Sequence, residues 1–559
     1  MQNVRTAGGF RPQAALRALS FFRRTVLIAL LLNDVPFEQD IRELFMAYYP
    51  GEKYVRDEES AKEAGIVFRA GAIESGAADA GPAEAAPEAP AETAEGLIRM
   101  TLEIRGAEHA GTPGPDRGSG STEEPGKEPA GKAETPVYRE FYSLRYPERL
   151  FTKNALKRAL YKTLRDVRGY ELPWGTLTGI RPAKLALTSL LEGKTPAETA
   201  MELSERYLMS VRKRVLCVRT AVREREVISG LDLKRGWSLY IGIPFCPTTC
   251  LYCSFTSYPV ARYRKQGLVE RYLNALCEEL SGVAELMQGH RLETIYVGGG
   301  TPTSLTAGEL DRLLSFVESR FDLAHVKELT VECGRPDSIT REKLKALKAH
   351  GVTRISINPQ TLKEETLRLI GRHHTVQQFR ECFAMAREEG FDSINTDLIM
   401  GLPGETEEDV RRTMEGIAAL APDDVTIHSL ALKRASRLHE KQEEYAAVGY
   451  GDAQAMVDLA SEYCQGMGLT PYYLYRQKNM AGNLENVGWC RPGHEGLYNI
   501  LIMEELQTIV GCGAGTTTRV MFQEENRYER AETVKDPELY CEQVEEMLNR
   551  KRAVLENWN

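Results

Sequence analysis

A chain of 559 residues exceeds one ordinary domain, so two or three are expected. With 42% hydrophobic and 27% charged residues it has an ordinary soluble globular balance. A net charge of −9 argues against nucleic acid as a partner, and eleven cysteines scattered over this length do not make a secreted disulfide framework, so a reducing cytoplasm is the expected location.

Met1–Arg24 carries several arginines and no acid, and the apolar run Val26–Leu32 follows, which mimics a signal peptide. The run is too short to span a membrane and no small-residue cleavage site follows, so Thr25–Leu32 reads as a buried strand and no membrane span is expected. Phe37, Ile41, Leu44 and Phe45 recur at helical spacing, with Pro36 in the first turn and Pro50-Gly51 as a stop, predicting a helix over Val35–Tyr49. Gly65–Ala70 is a second candidate strand. Ala72–Glu95 is mostly Ala, Pro, Glu and Gly and cannot bury enough apolar surface to offset its ordering entropy. Gly96–Ile104 partly alternates and returns as a strand, and Ala107–Pro136 is a second insert rich in Gly, Pro, Glu and Ser. Val137–Tyr146 is a strand leading into a basic helix, Phe151–Arg165, whose charges read as a solvated face. Residues 1–170 thus form a small α/β domain with low-complexity inserts at about 72–95 and 107–136. A helical connector is expected over 171–235: a packed corner at Leu172–Ala186, then one long helix over Pro196–Ser229.

From Trp237 the pattern alternates strictly. Strands are predicted at Leu239–Ile243, Thr294–Val297, Glu328–Glu332, Arg354–Asn358, Ser393–Met400 and Asp424–Ser429. Helices fall between them at Leu268–Leu280, Leu310–Phe321, Ile339–His350, Val376–Glu389 and Glu405–Leu420. Alternating β and α predicts a parallel sheet with right-handed crossovers, and six repeats suit a partial (β/α)6 barrel of TIM type over 236–435. After Ala431 the pattern breaks. Residues 436–559, with a helix at Ala446–Gly468, the aromatic run Pro471–Tyr475, the glycine-dense Gly511–Gly515 and a closing helix at Asp536–Arg550, are expected to cap the open side.

The stretch Tyr240–Tyr258, YIGIPFCPTTCLYCSFTSY, holds Cys246, Cys250 and Cys253 in the spacing C-x3-C-x2-C at the end of the first strand, where α/β proteins place chemistry. Three thiolates suit a soft metal centre. A structural zinc site wants a fourth ligand, and none follows locally. Three cysteines on a cubane leave one iron open to a substrate or cofactor, a state that favours low oxygen. This spacing resembles the radical S-adenosylmethionine (radical SAM) superfamily. The words YIGIPFCPTTCLYC, YVGGGTPTSL from Tyr296 and DLIMGLPGET from Asp397 resemble its oxygen-independent coproporphyrinogen III oxidase group. LPWGTLTGIRP from Leu172 and YYLYRQKNMAGNLENVGW from Tyr472 look most like the HemZ-type branch.

The resemblance implies a 4Fe–4S cluster on Cys246, Cys250 and Cys253, with SAM chelated at the open iron and cleaved there to methionine and a 5′-deoxyadenosyl radical. It places Tyr240 and Tyr252 near the cofactor, where a core tyrosine is the alternative for each. It assigns the run Gly298-Gly299-Gly300-Thr301-Pro302, above all Gly299, Gly300 and Thr301, to the SAM amino group, whereas a glycine run alone marks no more than a tight turn. Glu332 would contact the first SAM. Gln360, Arg372 and Asp397, with the backbone of Ala431, would hold a second. An acid, an amide, a guanidinium and another acid facing one barrel mouth suit a zwitterion; a structural ion-pair layer is the alternative. Ser254 and the run Cys333-Gly334-Arg335-Pro336 depart from the better-known branch, and Cys333 reads as a buried small hydrophobe. His373 and His374 are candidates for haem, metal or a supporting role, and Lys433 and Arg434 for propionate carboxylates.

The function implied is oxidative decarboxylation of two propionates of coproporphyrinogen III to the vinyl groups of protoporphyrinogen IX. Cys246, Cys250, Cys253, Glu332 and Arg372 carry it, two SAM are consumed, and electrons come from a donor such as flavodoxin or ferredoxin. The alternatives are a haem-binding and insertion protein of the same fold, or a radical SAM enzyme acting on another tetrapyrrole. The full set Gln360, Arg372 and Asp397 favours the enzyme.

Overall fold

The structure is a computed structural model and describes residues 27–49, 52–74, 82–105, 137–431, 438, 452–477, 484–525, 527–556 and 558. The chain divides into two compact units, residues 1–179 with 195–216, and residues 180–194 with 217–559. The connector expected over 171–235 is therefore not a unit of its own.

In the first unit β1 (Leu27–Asn33) pairs in parallel with β2 (Lys53–Val55) and β3 (Ile66–Glu74). Beyond β3 the sheet turns antiparallel through β5 (Gly96–Ile104) and β6 (Val137–Arg145), with β4 (Ala83–Glu84) at the far edge. In β5 the alternation is literal: Ile98, Met100, Leu102 and Ile104 are buried while Arg99 is exposed. They share a core with Phe45 of the helix Glu38–Tyr48 and Leu156 and Leu160 of the helix Arg149–Arg168.

Three expectations change here. The insert at 72–95 is in part built into the unit. β3 runs to Glu74, β4 pairs with β6, Ala86 is 2% exposed, and the Glu84 carboxylate accepts from Arg158 (2.9 Å) and Lys162. Composition counts apolar area and misses this docking, which is made by acids meeting the basic helix; that helix face is accordingly not fully solvated. The long helix expected over Pro196–Ser229 is two, Pro196–Tyr207 and Val211–Ile228, broken where Leu208 turns left-handed (φ 55°). The corner at Leu172–Ala186 is tight where Gly175 (φ 56°) has no room for a side chain, since a Cβ there would lie 2.1 Å from the Tyr207 carbonyl oxygen; from Pro182 the chain is already helical, to Leu191. The insert at 107–136 lies outside the described residues.

In the second unit, β7 (Gly236–Ile243) is followed by two short paired strands, β8 (Phe245–Cys246) and β9 (Tyr258–Pro259), which bracket the cysteine loop. The parallel strands β10 (Arg291–Gly299), β11 (Glu328–Glu332), β12 (Arg354–Ser356), β13 (Ile394–Met400) and β14 (Asp424–Ser429) then lie side by side in sequence order from β7. This is the expected six-stranded partial barrel. The helices between them start cleanly: Thr306, Thr375 and Thr406 each cap a helix through a reciprocal bond with the residue three positions on.

The C-terminal region extends this sheet at both ends. β15 (Thr470–Tyr475) and β16 (Asn486–Cys490) add antiparallel strands beside β14. β17 (Thr508–Cys512) lies parallel to β7 and is followed by β18 (Thr517–Phe522) and β19 (Arg527–Glu532). Between β16 and β17 the helix Leu497–Glu504 meets β11, with the amides of Leu497 and Tyr498 donating to Glu328 (2.6 and 3.4 Å). Deep in the barrel Arg354 pairs with Asp424, and the Tyr472 hydroxyl donates to the same carboxylate (2.6 Å), so both buried charges are partnered. The helix expected at Ala446–Gly468 is described over Ala453–Gly466, and the closing helix is two, Pro537–Glu542 and Val544–Leu555. No described helix is long and apolar enough to cross a membrane.

Candidate active site

The cysteine loop is pinned from two sides. Leu251 N–H donates to the Ile370 carbonyl (2.9 Å) and the Thr248 hydroxyl to the Gly371 carbonyl (3.3 Å), while Tyr252 packs on Leu251, Ile370, Ile399, Leu402 and Leu430. Cys250 is buried, Cys246 and Cys253 are half-buried, and none of the three is in a disulfide. Burial pushes the Cys246 thiol up to about 11, with the neighbouring Cys250 and Cys253 adding to the rise and Thr301 opposing it. The Thr301 hydroxyl lies 3.4 Å from Cys246 Sγ. The glycine run is zipped to the same segment: Gly300 N–H donates to the Ile243 carbonyl and Thr301 N–H to the Phe245 carbonyl, each at 2.7 Å. A Cβ on Gly300 would sit 2.5 Å from the Phe245 oxygen, so this glycine is required by the close approach of the two chains.

Glu332, the last residue of β11, accepts a 2.6 Å bond from the Tyr296 hydroxyl. Tyr240, Tyr296 and Tyr498 stack together, with the Tyr296 and Tyr498 rings 4.5 Å apart. Burial raises the Glu332 carboxyl to about 7, with Asp397 adding and the Tyr296 bond opposing.

Gln360, after β12, is left-handed (φ 70°), a strained backbone for this residue, and is held in place by bonds from its amide to the Asp397 carbonyl (3.1 Å) and from the Ile399 amide to its own carbonyl (3.0 Å). The Asp397 carboxylate accepts from Asn358 and Asn395 (2.8 Å each) and lies 3.8 Å from His428. Burial works to raise its pKa, but His428, Asn395 and Thr426 outweigh it and hold it below the usual carboxylate value. Arg372 is 5% exposed and donates from Nε to the Tyr252 hydroxyl (3.3 Å) and from Nη1 to the carbonyls of Gly334 (3.2 Å) and Asn358. Ala431 is half-buried two residues beyond β14. The structure therefore links Tyr252 to Arg372, Arg372 to the Asn358 backbone, and the Asn358 side chain to Asp397, while Glu332 belongs with the tyrosine stack.

Sequence reasoning missed four members of this site. Tyr296 was seen only as the first residue of the word YVGGGTPTSL, and Tyr498 carries no motif beyond the aromatic itself. Asn358 was read only as a strand residue. Arg335 was seen only as a departure, and it reaches Cys250 Sγ at 3.3 Å. His373 is exposed and His374 buried, so the pair does not present two nitrogens to one ligand. Cys333 is buried with its thiol toward the Val331 carbonyl, as a small hydrophobe would be. Lys433 and Arg434 lie outside the described residues.

Among the described residues no three Cys, His, Asp or Glu side chains are gathered to hold one metal ion. A model described as the Radical SAM superfamily matches residues 240–417. The chain is 40% identical over 408 residues to the oxygen-independent coproporphyrinogen-III oxidase-like protein HemZ of Bacillus subtilis, covering 72% of this chain and 81% of that one. It is 35% identical over 223 residues to the heme chaperone HemW of the same organism (38% of this chain, 58% of that one). To the oxygen-independent coproporphyrinogen III oxidase of Escherichia coli it is 33% identical over 198 residues (35% of this chain, 42% of that one). Superfamily membership implies a 4Fe–4S cluster and SAM, and the three thiols and the half-buried Glu332 fit both. With a cysteine triplet at the end of β7, a glycine turn beside it and likeness to HemZ over most of both sequences, this chain belongs to the radical SAM superfamily and, within it, to the oxygen-independent coproporphyrinogen-III oxidase-like family.

Proposed function

We propose that the protein is a cytoplasmic enzyme that decarboxylates coproporphyrinogen III to protoporphyrinogen IX without oxygen. Each of two propionates would lose a hydrogen atom, carbon dioxide and one electron, the electron passing to a separate one-electron acceptor, and leave a vinyl group. Cys246, Cys250 and Cys253 would hold the cluster, which with SAM supplies the hydrogen-abstracting chemistry when bound; a carrier such as flavodoxin or ferredoxin would supply electrons. Gly299, Gly300 and Thr301 would meet the SAM amino group, Glu332 would accept hydrogen bonds from the same molecule, and the stack of Tyr240, Tyr296 and Tyr498 would exclude water beneath it. Gln360, Arg372, Asp397 and the Ala431 backbone would hold a second SAM.

The observation that carries the reading is the preset Arg372. Its Nε and Nη1 are occupied by protein acceptors, and among the described residues Nη2 takes none, so one nitrogen of a fixed fork is available to a ligand carboxylate. Burial works against its charge, but Tyr252 and Cys250 more than compensate and the guanidinium stays ionised.

The test is anaerobic turnover with coproporphyrinogen III, read by product mass. Removing one partner of a buried charge pair costs about 2–5 kcal/mol, roughly thirty- to several-thousand-fold in binding. Arg372→Ala is expected to keep the cluster and cleave one SAM but lose decarboxylation. Decarboxylation at the wild-type rate in that variant would overturn the two-SAM reading. Likeness to HemW favours one rival: if the wild-type protein cleaves SAM, leaves coproporphyrinogen III untouched and binds haem tightly, it is a haem-handling protein.

A further inference from the structure

We propose that Arg335 is a positioning residue for the Cys250 sulfur, and that its fixed positive charge sets how readily the cluster takes up an electron. The inference rests on the cluster reading of the three cysteines. Arg335 stands three residues past β11 and is 2% exposed. One side of its fork is locked by Asp337, which accepts from Nε (2.9 Å) and Nη2 (2.7 Å). The other side faces the cysteine loop: Nη2 reaches the Thr248 hydroxyl (3.1 Å), and Nη1 reaches the Thr248 carbonyl (3.4 Å) and Cys250 Sγ (3.3 Å).

A carboxylate partner alone would explain a buried arginine. It would not explain a fork turned so that one nitrogen ends on a cluster-ligand sulfur 85 residues away in the chain. Hydrogen bonds to cluster sulfurs and nearby charge are what set iron–sulfur potentials. Reduction adds negative charge, so a buried cation donating to the ligand sulfur stabilises the reduced form and moves the potential upward. Asp337 partly offsets that cation.

Two substitutions therefore act in opposite directions. Anaerobically reconstituted wild type, Arg335→Gln and Asp337→Asn are titrated potentiometrically without SAM, the reduced cluster is read by electron paramagnetic resonance, and iron and sulfide per chain are measured in parallel. Arg335→Gln is expected to retain iron, with its reduced-to-oxidised ratio at the wild-type midpoint down by about tenfold, some 59 mV for one electron. Asp337→Asn is expected to shift upward. A fully loaded Arg335→Gln protein at the wild-type potential overturns the proposal. If that variant loses its iron, Asp337→Asn decides: an upward shift supports the role, and an unchanged potential means that Arg335 only holds the loop. Wild-type protein that takes up no cluster would overturn the site reading itself, which the iron count shows separately.

Discussion

Glu332 gives the most direct quantitative check on its proposed contact with SAM. Burial lifts its carboxyl to about 7, against the Tyr296 hydrogen bond that pulls it down. A raised carboxyl is neutral below that pH, so a ligand that needs the carboxylate binds less well as pH falls through 7. At about pH 6 roughly one-eleventh of the sites are ionised, and at about pH 8 roughly ten-elevenths. Apparent affinity scales with the competent fraction, so SAM should bind about tenfold more weakly at the lower pH. The SAM amino group titrates nearby, at roughly 7.7–8.0 for an ordinary α-amino group. The quantity to follow is therefore the ratio of wild-type affinity to that of Glu332→Gln, measured by equilibrium dialysis on oxidised, cluster-loaded protein. The glutamine cannot ionise, so the ratio should rise with pH and level off above 8. Tyr296→Phe removes the bond that holds the carboxyl down and should move the rise to higher pH. A ratio that stays constant from pH 6 to about 8 would refute an ionised Glu332 at the ligand.

Further outcomes are expected elsewhere. Cys246→Ala, Cys250→Ala and Cys253→Ala should each abolish the cluster, while Cys277→Ala, Cys382→Ala and Cys541→Ala, on helices away from the loop, should retain it by iron and sulfide analysis; an intact cluster in Cys250→Ala would sink the assignment. Arg354→Leu or Asp424→Leu should each cost about 3–5 kcal/mol in denaturant unfolding, because a buried charge is left alone, and the double variant should cost less than the sum. A single-variant loss below about 1 kcal/mol would show that the pair is not desolvated. Replacing residues 107–136 by a short glycine-rich turn should leave solubility and cluster loading intact. Ile104 and Val137 are cross-strand partners, and closure entropy changes only by about 0.6 kcal/mol per doubling of loop length. Insoluble or cluster-free protein would show that the segment packs on its unit.

The sequence by itself determined what is local. Period-two and period-3.6 patterns placed β7 and β10–β14 within a few residues, because each strand and helix must present one apolar face wherever it ends up. The cysteine triplet and the glycine turn were legible because their residues are close in the chain. The choice of partner belonged to the tertiary structure. Nothing in spacing says that β17 returns to lie beside β7, that Tyr498 closes the stack over Glu332, or that Arg335 meets Cys250. Each is a meeting of side chains or strands far apart in sequence, decided by which edges and charges the folded sheet leaves without partners. The 72–95 segment shows the same limit: its composition predicts a bare loop, yet Glu84 pairs with Arg158 on a helix that only folding brings alongside. Leu208 adds a backbone case, since a leucine carries no turn signal, yet it ends the helix in the left-handed conformation.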